Sequence, residues 1–309
     1  MDEKTFLVQQ ILVRTFAAGT PLLLGTLGEI YSERSGILNL GIEGMMAAGA
    51  VAAFATASVT GSPWCGVVAG IVVGGLLALL HAFATVTLKA NQIVSGLALT
   101  MLGLGISGLW GKRYVGVPLI NKILPVRLPV LSNIPILGNA VFNQDLLFYG
   151  SVVLGVIMWF ILYKTKVGII IRSVGENPEA ADSLGISVWK VRYVCVITGG
   201  IFAGMAGSYL SLVYISSWVE GMTGGRGWIV IALTVFSLWN PKRAFLGAYV
   251  FGGIYVLQYI LQSYGVSPNL LLMLPYIATL AALLAAVKFS KKKRISPPLS
   301  LGVPFDRGR

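Results

Sequence analysis

Gly175-Glu176-Asn177-Pro178-Glu179-Ala180-Ala181-Asp182-Ser183-Leu184-Gly185-Ile186 is a polar stretch set between two long apolar runs. It has the grammar of a short capped helix. The Asn177 side chain can accept an orphan N–H of the first turn. Pro178 follows at N1, where its missing N–H costs nothing. Glu179 and Asp182 place negative charge near the positive end of the dipole. Gly185 stands where the helix should stop. A helix this short is unstable alone. The flanking apolar runs hold it on one side, and a soluble partner protein is expected to hold it on the other.

Those runs set the fold class. The chain has 309 residues, of which 56% are hydrophobic and 11% charged, and its mean hydropathy is +0.82. Several segments reach the length that spans a bilayer. The expectation is an all-α polytopic membrane protein forming one transmembrane domain over 1–309. Met1 opens no cleavable signal pattern, because Asp2 and Glu3 are acidic and Arg14 interrupts the apolar stretch that follows. The net charge of +12 would suggest nucleic acid in a soluble protein. Here Lys and Arg at membrane edges account for it, and no nucleic-acid partner is expected. Cys65 and Cys195 both lie in apolar segments and offer neither a disulfide framework nor metal-ligand spacing.

Apolar segments run over 6–29, 45–60, 64–88, 91–111, 146–163, 191–214, 218–239, 244–262 and 269–287. This gives about nine crossings. Four prolines between 114 and 145 exclude a continuous helix there. The basic tail over 288–309, with Lys291, Lys292, Lys293 and Arg294, puts the C-terminus in the cytoplasm of a plasma membrane. It fixes topology, with binding of anionic membrane lipid as the alternative. The 164–192 loop then falls on the cytoplasmic side. Gly66, Gly70 and Gly74, like Gly199, Ala203 and Gly207, recur at a spacing that lets helix backbones approach. Trp64, Trp110, Trp159, Trp218 and Trp239 lie near segment ends, where an interfacial belt would place them.

Two apolar segments are interrupted by polar residues, 30–44 and 218–228. A pair of discontinuous segments in two halves of a chain points to a transport site. Irregular backbone survives at membrane depth only when buried in protein or lining a cavity. The candidates for a translocation pathway are Asn39, Glu43, Asn91, Gln92, Glu220 and Arg226. Glu29, Glu33 and Arg34 belong to the same polar set. Structural ion pairs, Glu33 with Arg34 and Glu220 with Arg226, account equally well for these charges. For Asn91, simple capping of the following helix is the plainer reading. The lone His81 has no matched ligand or carboxylate in the sequence and receives no role. No P-loop spacing, metal cluster or nucleophile elbow occurs, so neither a cofactor nor catalysis is expected.

Four blocks together resemble a known family. They are Glu33-Arg34-Ser35-Gly36-Ile37-Leu38-Asn39-Leu40-Gly41-Ile42-Glu43-Gly44, Asn91-Gln92-Ile93-Val94-Ser95-Gly96-Leu97-Ala98-Leu99, Gly175 to Ile186, and Gly224-Gly225-Arg226-Gly227-Trp228-Ile229. In this order they are similar to the permease subunits of bacterial ATP-binding-cassette importers, in the ribose and branched-chain amino acid group. Within it the chain most resembles nucleoside-type permeases, a choice carried by the first block; ribose or another simple sugar is the alternative substrate. The resemblance implies a type II importer permease working by alternating access. It makes Glu176, Asn177, Pro178, Glu179, Ala180, Ala181, Asp182, Ser183, Leu184 and Gly185 a coupling helix that docks on a cytoplasmic P-loop ATPase. It also implies a second permease subunit, related but distinct, and an extracellular substrate-binding lipoprotein. A proton-coupled secondary transporter using Glu29, Glu33, Glu43 or Glu220 is the competing reading from another class.

Overall fold

The computed structural model describes residues 3–129, 132, 134, 137–293 and 297–307. Among these, helices dominate. The first, α1 (Glu3–Arg34), runs unbroken through Pro21. It is followed by α2 (Ile42–Thr60), α3 (Pro63–Ala82) and α4 (Gln92–Gly111). A π-type turn over Phe83–Thr87 extends α3. The proline-rich connection that follows contains β1 (Pro125–Arg127), the short α5 (Leu137–Phe142) and β2 (Asn143–Asp145), with the two strands paired antiparallel. Then come α6 (Leu146–Lys164), α7 (Lys166–Glu176), α8 (Pro178–Ser183) and α9 (Val188–Tyr209), the last prolonged by a second π-type turn to Tyr214. The chain closes with α10 (Arg226–Phe236), α11 (Pro241–Ser263), α12 (Pro268–Leu272) and α13 (Leu274–Lys293).

Among the described residues, seven helices are long and apolar enough to cross a membrane, and Arg226–Phe236 and Asn269–Leu284 are shorter apolar helices. The expected interruption at 30–44 is narrower in the fold. Helix continues to Arg34 and resumes at Ile42, so only 35–41 is irregular. Arg34, Lys89 and Trp239 gather with α7 and α8 at one end of the bundle, here called the base. Gly61, the 112–145 connection and Ser217 meet at the opposite end, where Asn121 Nδ2 donates to Gly61 O at 2.7 Å.

The bundle centre is α1, α2 and α9, all largely buried. Small residues make it possible. A Cβ on Gly74 would fall on the Gly200 carbonyl, and one on Gly70 would fall on the Ser208 hydroxyl. The backbones of α3 and α9 therefore touch along Gly70, Gly74, Gly200 and Gly204. The stripe Gly199, Ala203, Gly207 has a different use: Gly199 faces Gly28 of α1, and Gly207 faces Met46 and Ala50 of α2. The tryptophans divide as well. Trp64 and Trp110 are exposed as a belt requires, whereas Trp218 and Trp239 are buried in the protein.

This packing yields a test. Gly74→Val forces a side chain into the α3–α9 contact, and overpacking of this kind costs about 1–3 kcal/mol or more. Gly105→Val on α4, where nothing lies within 4 Å, should be neutral for the isolated chain. Thermal unfolding of the detergent-purified variants should show a lowered midpoint for the first and an unchanged one for the second.

Candidate functional site

The capped helix read from 175–186 is present. Asn177 Oδ1 accepts from Ala180 N at 2.9 Å, and Pro178 opens α8. Gly185, at φ +82°, lets the chain reverse as Gly185 N and Ile186 N donate to Asp182 O and Ala181 O. Sequence reading missed α7, the amphipathic helix directly before it, which Thr165 caps through Gly168 N at 3.3 Å. Val174 and Ala181 pack with Val188 in a small apolar cluster that seats α7 and α8 on the foot of α9. Glu176, Asn177, Glu179, Ala180, Ser183, Leu184 and Gly185 stay exposed, and Leu184 is 82% exposed. Asp182 and Pro178 are partly covered.

The second part of the site is the break at 35–41. Its backbone polar groups cannot turn to water, so they must find partners in the protein. Ser35 N, Gly36 N and Ile37 N bond back to Tyr31 O, Glu33 O and Ser32 O. Leu38 N donates to Gln92 Oε1 at 2.7 Å, and Asn39 N to Glu29 Oε1 at 3.2 Å. Gly41 N donates to Asn39 Oδ1 at 2.9 Å. On the acceptor side, Leu40 O takes the Thr100 hydroxyl at 2.8 Å and Ile37 O takes the Ser32 hydroxyl at 2.9 Å. His81 Nε2 lies 3.1 Å from Leu38 O and Nδ1 lies 2.9 Å from the Ser95 hydroxyl. The imidazole is thus a donor to the break and an acceptor from α4. Its signal in the sequence was only a lone polar residue in an apolar helix.

The third part is the start of α10. Gly225 N donates to Glu43 Oε1 at 2.9 Å and Gly227 N to Glu43 Oε2 at 2.6 Å. One carboxylate from α2 therefore caps a helix 182 and 184 positions away in sequence, at the end where a negative charge is favoured. Gly227 leaves no room for a side chain against the Glu43 backbone. Arg226 lies between the rings of Tyr214 and Tyr255, at 5.4 and 4.6 Å, and its Nη1 donates to Met222 O and Thr223 O at 3.0 and 3.2 Å.

The two interrupted segments are thereby joined through Glu43. Asn39, Glu43, Gln92 and Arg226 are all buried and bonded within the protein. Asn91 is exposed and caps α4 through Ile93 N and Val94 N. Glu220 is exposed beside a cleft of about 170 Å³, which Ser107, Gly108 and Thr223 also line. Neither expected ion pair is the main contact. Glu33 accepts from Trp239 Nε1, while Arg34 stands 3.9 Å from Glu176 and donates to the Leu238 and Trp239 carbonyls. Among the described residues no cluster of three or more potential metal ligands occurs.

These features define a multi-pass helical membrane protein with buried irregular backbone and an exposed, rigidly seated helix at its base. The chain belongs to the family of branched-chain amino acid transport system permease components, whose pattern matches residues 11–283. It is 40% identical to TsgC13 of Haloferax volcanii, provisionally named a glucose ABC transporter permease protein, over 96% of this chain and 97% of that one. It is 36% identical to the guanosine ABC transporter permease protein NupQ of Bacillus subtilis, over 97% of each chain. Identity is also 36% to the nucleoside ABC transporter permease protein NupC of Lactococcus lactis, over 79% of this chain and 80% of that one. The chain is an ABC-type permease, and in such transporters ATP hydrolysis belongs to a separate subunit.

Removing the Glu43 carboxylate tests the link between the two breaks. Glu43→Ala leaves the buried Gly227 N–H and the partly buried Gly225 N–H unpaired, at about 1–3 kcal/mol for the buried one. Glu43→Gln keeps one acceptor and should cost less. The midpoints of thermal unfolding should fall in that order.

Proposed function

We propose that this chain is the membrane permease of an ATP-driven importer for nucleosides, moving them by alternating access. The observation that carries the coupling role is the geometry of 176–185. A rigidly capped helix, seated on α9 and turned outward at Glu179 and Leu184, transmits a push better than a loop does. On this reading the base faces the cytoplasm, where a P-loop ATPase docks on α8, and the C-terminus lies on that side. A second, related permease and an extracellular binding lipoprotein complete the transporter. Membership in an ABC permease family removes the support for a proton-coupled mechanism, and the buried carboxylates Glu33 and Glu43, with one oxygen of Glu29, have structural partners instead.

Asn39, Glu43, Asn91, Gln92, Glu220 and Arg226 are proposed to frame the pathway. Glu220 faces open space, whereas the buried members hold the two breaks in shape. The nucleoside assignment is supported by the likeness to permeases named for guanosine and for nucleosides. The likeness to TsgC13 favours a simple sugar as the second reading.

Two experiments decide these points. Replacing Glu179–Leu184 with a Gly/Ser linker should leave the permease in the membrane but abolish co-purification of the ATPase and uptake. Retention of both would refute the coupling role. For the substrate, cells carrying the complete transporter should accumulate labelled guanosine, with unlabelled glucose failing to compete. Glucose accumulation with no guanosine uptake would establish the sugar reading.

A further inference from the structure

The segment after α13 carries residues that no part of the preceding mechanism uses. Residues 297–307 run back along the base and touch α7, α8, α9, the 35–41 break and Lys89. Ser300 N and its hydroxyl both donate to Gly175 O, at 2.9 and 2.8 Å, in the last turn of α7. Gly302 N donates to Gly36 O in the 35–41 break at 3.3 Å. Phe305 packs on the cluster of Val174, Ala181 and Val188. At the end of the segment Arg307 pairs with Asp182 of α8 at 3.0 Å, and Asp306 with Lys89 below α3 at 2.6 Å.

Arg192 is the centre of this arrangement. It rises from the foot of α9 and is 1% exposed. Its Nε donates to Ser35 O at 3.2 Å, Nη1 to Val303 O at 3.3 Å, and Nη2 to the Ser300 hydroxyl at 3.2 Å. These three acceptors are neutral oxygens, one on the break and two on the returning segment. Burying a guanidinium is costly unless its donors are matched. One planar fork thus spans the break, α9 and the tail. Gly36, at φ +93°, has no room for a side chain because the Ser300 hydroxyl and the Arg192 guanidinium occupy that space. The two terminal ion pairs are exposed and worth little, so the buried hydrogen bonds do the holding.

We propose that residues 297–307 form a strap that fixes the end of α7, and with it α8, to the 35–41 break, with Arg192 as its positioning residue. A displacement of α8 is then carried into the interrupted segment instead of being absorbed between α7 and α9. This rests on the reading of 176–185 as the ATPase-facing element.

The test uses the complete transporter, this chain with its ATPase and partner permease, in proteoliposomes. The probe is whichever of labelled guanosine or glucose the unaltered transporter accumulates. Three quantities are read for a chain lacking 297–309 and for Arg192→Gln: ATPase bound, ATP hydrolysed, and substrate moved per ATP. A merely structural loss lowers the amount of assembled transporter but not the last ratio. The strap predicts a bound, hydrolysing ATPase with transport per ATP reduced on the order of ten-fold, as small misplacements far from a working centre can produce. An unchanged ratio at full ATPase occupancy overturns it. A second variant covers the case of a truncated chain that does not fold. With Lys89→Cys and Asp306→Cys bridged by a short bismaleimide, the strap is held shut and transport per ATP should stay near that of the unbridged protein. Loss of transport on bridging overturns the proposal. If the Gly/Ser linker at 179–184 leaves ATPase binding intact, the coupling reading has failed. If the linker abolishes binding while truncation leaves the ratio unchanged, the strap alone has failed.

Discussion

The fold depends on one constraint: backbone N–H and C=O groups released where a helix breaks inside apolar surroundings must be paired by the protein itself. At 35–41 nearly every such group has a partner, and the partners come from α1, α3, α4, α9 and the returning tail. The break is therefore a junction. It draws Glu29, His81, Gln92, Thr100 and Arg192 to one place, and each leaves an orphan if removed. The second break obeys the same rule with fewer groups, Glu43 supplying two acceptors and Arg226 donating to two carbonyls.

This constraint explains why polar residues that sequence logic assigns to a pathway are buried. In a membrane protein a conspicuous Glu, Gln or Arg serves either the substrate or the backbone, and composition alone does not separate these uses. Here Glu43, Gln92 and Arg226 are turned to the backbone, and Glu220 is turned to open space. Backbone service is not without consequence for transport. A break held by side chains from several helices changes shape only when those helices move together.

The small-residue contacts complete the mechanical picture. Glycines along α3 and α9 bring backbones into direct contact, and α1 and α2 close around the same axis. Without long side chains between them these helices have little slack. At the periphery α4 keeps an exposed apolar face, and the short helix α8 is tied down by an N-cap, a small apolar cluster and the strap.

The sequence by itself determined the membrane-spanning class, the neighbourhoods of two interruptions and the capped turn at 177–185. These follow from local chemistry: hydropathy over a bilayer's thickness, small-residue spacing, and the Asn-Pro start with a Gly stop. It also carried the four blocks that place the chain in its family. Tertiary structure alone decided what the polar residues do. The Glu43 cap on α10 joins residues more than 180 positions apart, the roles of His81 and Arg192 depend on carbonyls in a distant loop, and the basic tail reads as a topology signal until its last residues fold back onto Gly36 and Gly175. No local pattern announces such pairings, because a hydrogen bond between distant segments is chosen by which helices pack together, and that choice is made by the whole bundle at once.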